Sequence, residues 1–203
     1  MVITGIYYAL GLIAGGLVAT YFTAPWFGVP FYLLAAFCLW FFRDPDRVAP
    51  KGPVAVSPAD GRVVQVRQES ATQTRVSIFL NVFDVHVNRA PIAGKVTEVV
   101  YKHGKFLVAS REAASLDNEQ NLMTIEGADG VSVTFSQIAG LIARRIVCYK
   151  KPGDYVTIAE RIGLIKFGSR VDVLFGPQWS VQVHTGDRVS AGSSILARKT
   201  DAR

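Results

Sequence analysis

Three short segments carry the side chains best suited to chemistry. Ser169 follows Gly168 in Lys166-Phe167-Gly168-Ser169-Arg170-Val171-Asp172. Asp60 lies in Ser57-Pro58-Ala59-Asp60-Gly61, and His86 in Asp84-Val85-His86-Val87-Asn88-Arg89-Ala90-Pro91. A Gly-Ser pair or a Pro-x-Asp-Gly stretch alone is ordinary turn sequence. Glycine, however, tolerates strained backbone and leaves its carbonyl open to attack by the next residue's hydroxyl. An aspartate and a histidine brought to such a bond could supply the proton transfers it needs.

Taken together and in this order, the segments resemble the phosphatidylserine decarboxylases in their short bacterial and archaeal form. With the apolar N-terminus, the resemblance covers nearly the whole chain. It implies a self-processing proenzyme. Ser169 Oγ attacks the Gly168 carbonyl to give an ester, and loss of the Ser169 Cα proton expels that ester as a carboxylate, leaving dehydroalanine. Hydrolysis then gives ammonia and a pyruvoyl group at the head of a small chain, 169–203, beside a large chain, 1–168. The resemblance also implies that the pyruvoyl carbonyl is the electron sink for decarboxylating phosphatidylserine to phosphatidylethanolamine.

The family roles pass to individual residues only where the motifs match. Asp60 matches the aspartate of Pro-Ala-Asp-Gly, which orients and charge-balances the base; Asp84 is a weaker candidate for that purpose. His86 matches the first histidine of Asp-x-His-x-x-His-x-Pro, and Arg89 stands where the second would be. That departure implies that His86 serves both processing and turnover, and that Arg89 holds the substrate phosphate or carboxylate through its bidentate fork. His103 is expected at the surface or on the substrate side, and His184 as a structural residue before a Gly-Asp turn. Three scattered histidines without cysteine partners make no zinc or iron site. Two other classes compete: a membrane-anchored, non-enzymatic barrel-sandwich carrier or adaptor, and a decarboxylase of another serine lipid such as archaetidylserine. A carrier needs a lysine at a hairpin tip, and no convincing one is present.

The elements that must position these residues are β-strands. Runs rich in Val, Ile, Thr and Phe at 62–66, 75–82, 95–101, 131–138 and 171–175 alternate with Gly, Asn, Asp and Pro clusters. That spacing predicts an all-β sandwich or barrel. A weak repeat, Gly153-Asp154-Tyr155-Val156 and Gly186-Asp187-Arg188-Val189, with Ala93-Gly94-Lys95-Val96 as a related turn, resembles lipoyl and biotinyl carriers. The predicted fold is therefore mainly β: an antiparallel barrel-sandwich hybrid-like domain. Residues 137–149 are the best candidate for a helix or a long apolar strand, and the polar stretch 110–121 reads as an exposed loop.

Residues 1–42 contain no Asp, Glu, Lys, Arg or His. One helix of that length would extend about 63 Å, twice the hydrocarbon core, so a break is expected within 23–30, where two prolines and a glycine fall. The pieces are about Ile3 to Phe22, long enough to span, and about Phe31 to Phe42, which is short and either spans with its aromatic ends in the interface or re-enters. This predicts a membrane helical hairpin at 1–42 ahead of a catalytic β domain at 43–203. Arg43, Arg47 and Lys51 flank it, placing that side and the catalytic domain at the cytoplasmic face of the cell membrane. The net charge of +6 falls wholly in 43–203 and suits an anionic leaflet. Scattered basic residues without a nucleic-acid motif argue against nucleic acid as a partner. The expected partners are membrane phosphatidylserine and the two chains of one precursor, with a homodimer left open. Cys38 and Cys148 suggest neither a disulfide nor a metal site.

Overall fold

The computed structural model describes residues 2–107, 109, 113–141, 145–166 and 168–200. Of the segments singled out above, Phe167 and residues 110–112 and 142–144 lie outside them. The chain divides into two compact units, Met1–Asp46 and Arg47–Arg203.

The first unit is a pair of apolar helices, α1 (Ile3–Phe22) and α2 (Pro25–Phe41). The break falls at Thr23 and Ala24, inside the expected window but at its leading edge. Pro25 takes the opening of α2, where its missing N–H is no loss, and Pro30 sits inside the helix. The second piece therefore runs for 17 residues from Pro25 instead of starting at Phe31. Small residues bring the helices together: a Cβ on Gly16 would lie 2.7 Å from the Tyr32 ring, and one on Gly5 would lie 2.4 Å from Phe42 Cβ. By length and composition α1 can cross a membrane.

The second unit is mainly β, as the strand-like runs predict. An eight-stranded antiparallel sheet contains β2 (Gly61–Ser70), β3 (Gln73–Leu80), β5 (Gly94–Lys102), β6 (Gln120–Glu126), β7 (Ser132–Ile138), β9 (Tyr155–Val156), β11 (Ser169–Phe175) and β13 (Arg188–Val189). Its order is β13-β2-β3-β11-β7-β6-β5-β9. Two three-stranded sheets accompany it. One joins β1 (Val54–Val56), β14 (Ile195–Lys199) and β12 (Trp179–Val181); the other joins β4 (Val87–Arg89), β10 (Arg161–Ile165) and β8 (Ile146–Cys148). Val63, Ile78, Leu80, Phe135, Ile165, Val171, Val173 and Leu196 are among the residues of the core enclosed by these sheets.

The order reads symmetrically about the β11–β7 pair, and the sequence repeat is its trace. Gly186 N–H donates to Val63 O, and Gly153 N–H to Val96 O. Val189 pairs with Gly61, and Val156 with Gly94. Val56 N–H donates to Pro91 O while Arg89 N–H donates to Pro58 O, so the halves cross at the Pro58 and Pro91 turns. Gly192, at φ +75°, has its counterpart in Ala159, at φ +65°. Because left-handed backbone disfavours a Cβ, Ala159 marks a place where tertiary contacts override local preference.

Two expectations are corrected. The described residues of 137–149 form neither a helix nor a long strand: β7 ends at Ile138, and β8 covers only Ile146–Cys148. The stretch 110–121 is not wholly loop. It contains the short helix α3 (Ala113–Asp117), and β6 begins at Gln120. Asn121 disguised that strand. It is buried in a polar run, and its amide donates to Gln137 Oε1 at 3.0 Å.

Candidate active site

Ser169 opens β11, the strand on the symmetry line, and pairs with Leu80 of β3. Its side chain shares a face with Val171, Val173 and Phe175, which are buried in the core, while Arg170 and Asp172 point the other way. Ser169 is fully buried, and among the described residues its Oγ has no hydrogen-bond partner. A buried hydroxyl left unsatisfied is disfavoured by roughly 1–3 kcal/mol, so this one calls for a chemical explanation. The residue before it, Gly168, has φ +49°, a conformation that glycine holds without steric penalty. Its carbonyl lies against Gly140, where an added Cβ would stand 2.0 Å from Gly168 O. Bare glycine on both sides lets the β7–β8 loop reach this carbonyl.

The histidine arrives from the neighbouring strand pair. Leu164 of β10 pairs with Val87 of β4, and Ile165 N–H donates to His86 O at 3.2 Å. That hydrogen bond lies three residues before Gly168. His86 is buried, with Nδ1 2.9 Å from Asp84 O. A carbonyl can only accept, so Nδ1 carries a proton, and in its neutral form such a ring has its lone pair on Nε2. Asp84 in turn accepts from Asn81 N–H at 2.9 Å, closing the tight loop that follows Leu80.

Asp60 is reached from the crossing turn. Its carboxylate accepts from Ala191 N–H at 2.7 Å and pairs with Arg47 at 2.8 Å. Burial pushes its pKa up, and nearby Asp84 adds to this; Ala191 N–H and Arg47 pull the other way without cancelling the rise. Asp60 and Asp84 are therefore electrostatically coupled. Among the described residues no hydrogen bond joins Ser169 Oγ to His86 or Asp60. Arg89 is buried, its guanidinium donating to Ala159 O at 3.1 Å and its Cδ 2.9 Å from the place of a Cβ on Gly192. It thus fastens the two symmetry-related turns together. His103 and His184 stand on the surface, each beside an acidic residue, Glu119 and Asp187.

Several contributors escaped the sequence reading. Arg47 reads there as a membrane-flanking charge, yet it neutralises Asp60. Asn121, Gln137 and Asn88 form a buried amide chain: Gln137 Nε2 donates to Asn88 Oδ1 at 2.9 Å, and Asn88 Nδ2 to Pro58 O at 3.3 Å. It ties β6, β7 and β4 to the turn that presents Asp60. Behind Ser169, Asp172 accepts from Arg170 at 2.6 Å, Ser115 at 2.6 Å and Arg75 at 3.3 Å. The alternation Arg170-x-Asp172 was the available signal, since i and i+2 share a strand face.

A serine and a histidine enclosed by packed sheets suit an enzyme better than a carrier, which displays its reactive lysine at an exposed hairpin tip. Comparison with known proteins makes the class specific. The phosphatidylserine decarboxylase family model matches residues 34–197. The phosphatidylserine decarboxylase proenzyme of Solibacter usitatus (strain Ellin6076) is 63% identical over 203 residues, covering 100% of this chain and 98% of that protein. The proenzyme of Nitratidesulfovibrio vulgaris (strain Hildenborough) is 50% identical, covering 85% of this chain and 82% of its own. That of Saccharopolyspora erythraea is 49% identical, covering 81% and 74%. The chain belongs to the phosphatidylserine decarboxylase family and is a carboxy-lyase of phospholipid metabolism.

Proposed function

We propose that the chain is made as one polypeptide, cleaves itself between Gly168 and Ser169, and decarboxylates phosphatidylserine with the pyruvoyl group so formed. The observation that carries this reading is the buried Ser169 Oγ, without a partner among the described residues, directly after a left-handed glycine. An orphaned hydroxyl directly after the Gly168 carbonyl fits a nucleophile, and an enclosed site fits a carbonyl group that must be kept from bulk water. When present, the pyruvoyl group supplies the electron sink for loss of carbon dioxide.

The chain's own residues take the remaining roles. Ser169 Oγ attacks the Gly168 carbonyl carbon, the C–N bond breaks, and the amide nitrogen takes a proton. His86, with Nδ1–H held on Asp84 O, accepts the hydroxyl proton at Nε2 and returns a proton where one is needed. Asp60, its charge set by Arg47 and Ala191 N–H, orients the neighbouring groups and offsets charge that develops on the ring. Removal of the Ser169 Cα proton then expels Gly168 as a carboxylate. Water hydrolyses the resulting dehydroalanine and releases ammonia. Arg89 supplies fixed positive charge for the head-group phosphate or carboxylate, its fork steadied by Ala159 O. The apolar helices anchor the enzyme in the cell membrane, and the basic flank after them supports a catalytic unit at the cytoplasmic face.

The test is the chemistry of the small chain's N-terminus. Stepwise N-terminal degradation should fail on it. Reductive amination with ammonium and cyanoborohydride should convert it to an alanine that degrades normally. A small chain that starts with free serine would sink the proposal.

A further inference from the structure

Arg188, Arg62, Phe79, Arg170, Ile138 and Gln120 form one row of paired residues across the large sheet, at the end that holds Ser169. The loops leaving this row carry large apolar side chains in the open. Phe83, between β3 and β4, is 70% exposed; Leu141, between β7 and β8, is 57% exposed; Leu116 of α3 is 66% exposed. Leu116 is tied to the row because Gln120 Nε2 donates to the adjacent Ser115 O. Single exposed apolar residues are commonplace, but here three leave one end of one sheet, beside the buried serine. Leu141 adjoins Gly140, which touches the Gly168 carbonyl, and Phe83 adjoins Asp84.

Around them the charge is basic. Arg62, Arg145 and Arg188 are exposed. The carboxylates at this end are engaged: Asp117 with Lys105 at 3.1 Å, Asp84 with Arg188 at 3.5 Å, Asp187 with the His184 N–H at 2.8 Å, and Glu119 with Tyr101 and, at 3.7 Å, His103. Aromatic and leucine tips inside a collar of arginines suit the boundary between head groups and acyl chains in an anionic bilayer. A second copy of the chain suits it less, because two such ends would bring arginine against arginine.

We propose that this end of the β unit docks directly on an anionic bilayer surface, with Phe83 and Leu141 entering it and Arg62 and Arg145 meeting lipid phosphates and carboxylates. The proposal rests on the family's lipid substrate and is independent of how Ser169 is processed. Docking would bring the head group to the buried site without withdrawing the whole lipid from the membrane.

The test uses full-length protein and the variants Phe83→Ser, Leu141→Ser and the pair. Decarboxylation is measured on long-chain phosphatidylserine in phosphatidylcholine vesicles and on dihexanoyl phosphatidylserine below its micellar concentration. The pair should lower kcat/KM on vesicles about tenfold or more, as expected when an interfacial aromatic and a leucine are lost. Rates on the monomeric lipid should stay at the wild-type level. In a second arm, Phe83→Trp in proteoliposomes should add indole emission quenched by brominated lipid, beyond the wild-type signal from Trp26, Trp40 and Trp179. Equal losses on both substrates, no loss on either, an unquenched new indole, or dispersal of a dimer by the variants would each overturn the proposal. A wild-type protein inactive on both lipids would instead contradict the family activity, and the quenching arm would still decide the docking.

Discussion

Gly140→Ala separates a positioning account of self-cleavage from one in which the Gly-Ser bond is reactive by itself. An alanine Cβ at 140 would lie 2.0 Å from Gly168 O, whereas real Cβ contacts essentially never fall under 3.0 Å. One of the two backbones must therefore move by about an ångström. Retreat of the 140 loop is hindered, because the same Cβ would sit 3.2 Å from Ala109 Cβ. The carbonyl to be attacked is the atom displaced, and a shift of about 1 Å from the productive geometry lowers a rate by about a hundredfold. The core is untouched, so the variant should fold. The assay follows the cleaved fraction by denaturing electrophoresis after pulse-labelled synthesis, with circular dichroism as the check on folding. A folded Gly140→Ala protein that cleaves at the wild-type rate would refute the claim that this contact positions the carbonyl.

Other outcomes follow from the same geometry. Asp172→Asn leaves Arg170 and Arg75 without their shared buried carboxylate. Measured by denaturant unfolding in a cleavage-blocked Ser169→Ala background, it should cost about 3–5 kcal/mol of stability; a loss below 1 kcal/mol would discount the network. Burial raises the pKa of Asp60, so its working carboxylate form disappears as pH falls through a value above the ordinary range of about 4. The acid limb of the cleavage rate should therefore carry a contribution that lies higher than for an exposed aspartate, and Asp60→Asn should remove that contribution. For stability the sign is opposite: the raised pKa favours the folded state below the unfolded pKa, and this is lost as pH rises through the folded one. Wild type should lose stability relative to Asp60→Asn across that window. Arg89→Lys keeps the charge but not the fork. It should reduce carbon dioxide release from phosphatidylserine more than the cleaved fraction, and equal effects would make Arg89 purely structural. His86→Ala should impair decarboxylation severely; wild-type turnover would remove His86 from the mechanism.

Much of the fold was legible because alternation and turn chemistry agree with it. The runs at 62–66, 95–101 and 171–175 lie within strands. Those at 75–82 and 131–138 overlap β3 and β7 but overrun them at Asn81, Val82 and Val131. The Gly-Asp repeat is the residue-level trace of the two-fold strand order. β6 was not legible, because its opening residues are polar and Asn121 is buried only by virtue of Gln137, a partner 16 residues away. The break between the helices fell inside its expected window, but the second helix starts at Pro25 and not at Phe31, because Pro30 marks a helix end by rule and here lies within α2. At the site, local motifs pointed to Ser169, His86 and Asp60. The contacts of Arg47, Gly140 and Asp172 depend on which strands meet, and no short spacing encodes that. Arg89 shows both levels: its motif position suggests an anion partner, while the fold gives it Ala159 O.

The central claim is that Ser169 becomes the head of a second chain. Intact-mass measurement of purified wild-type and Ser169→Ala proteins tests it most directly. The wild type should give two species: residues 1–168 ending in a carboxylate, and residues 169–203 lighter by one ammonia than the serine-headed peptide. Ser169→Ala should give one uncut chain. A single uncut wild-type chain that still decarboxylates phosphatidylserine, or a Ser169→Ala protein cleaved at the same bond, would contradict the account.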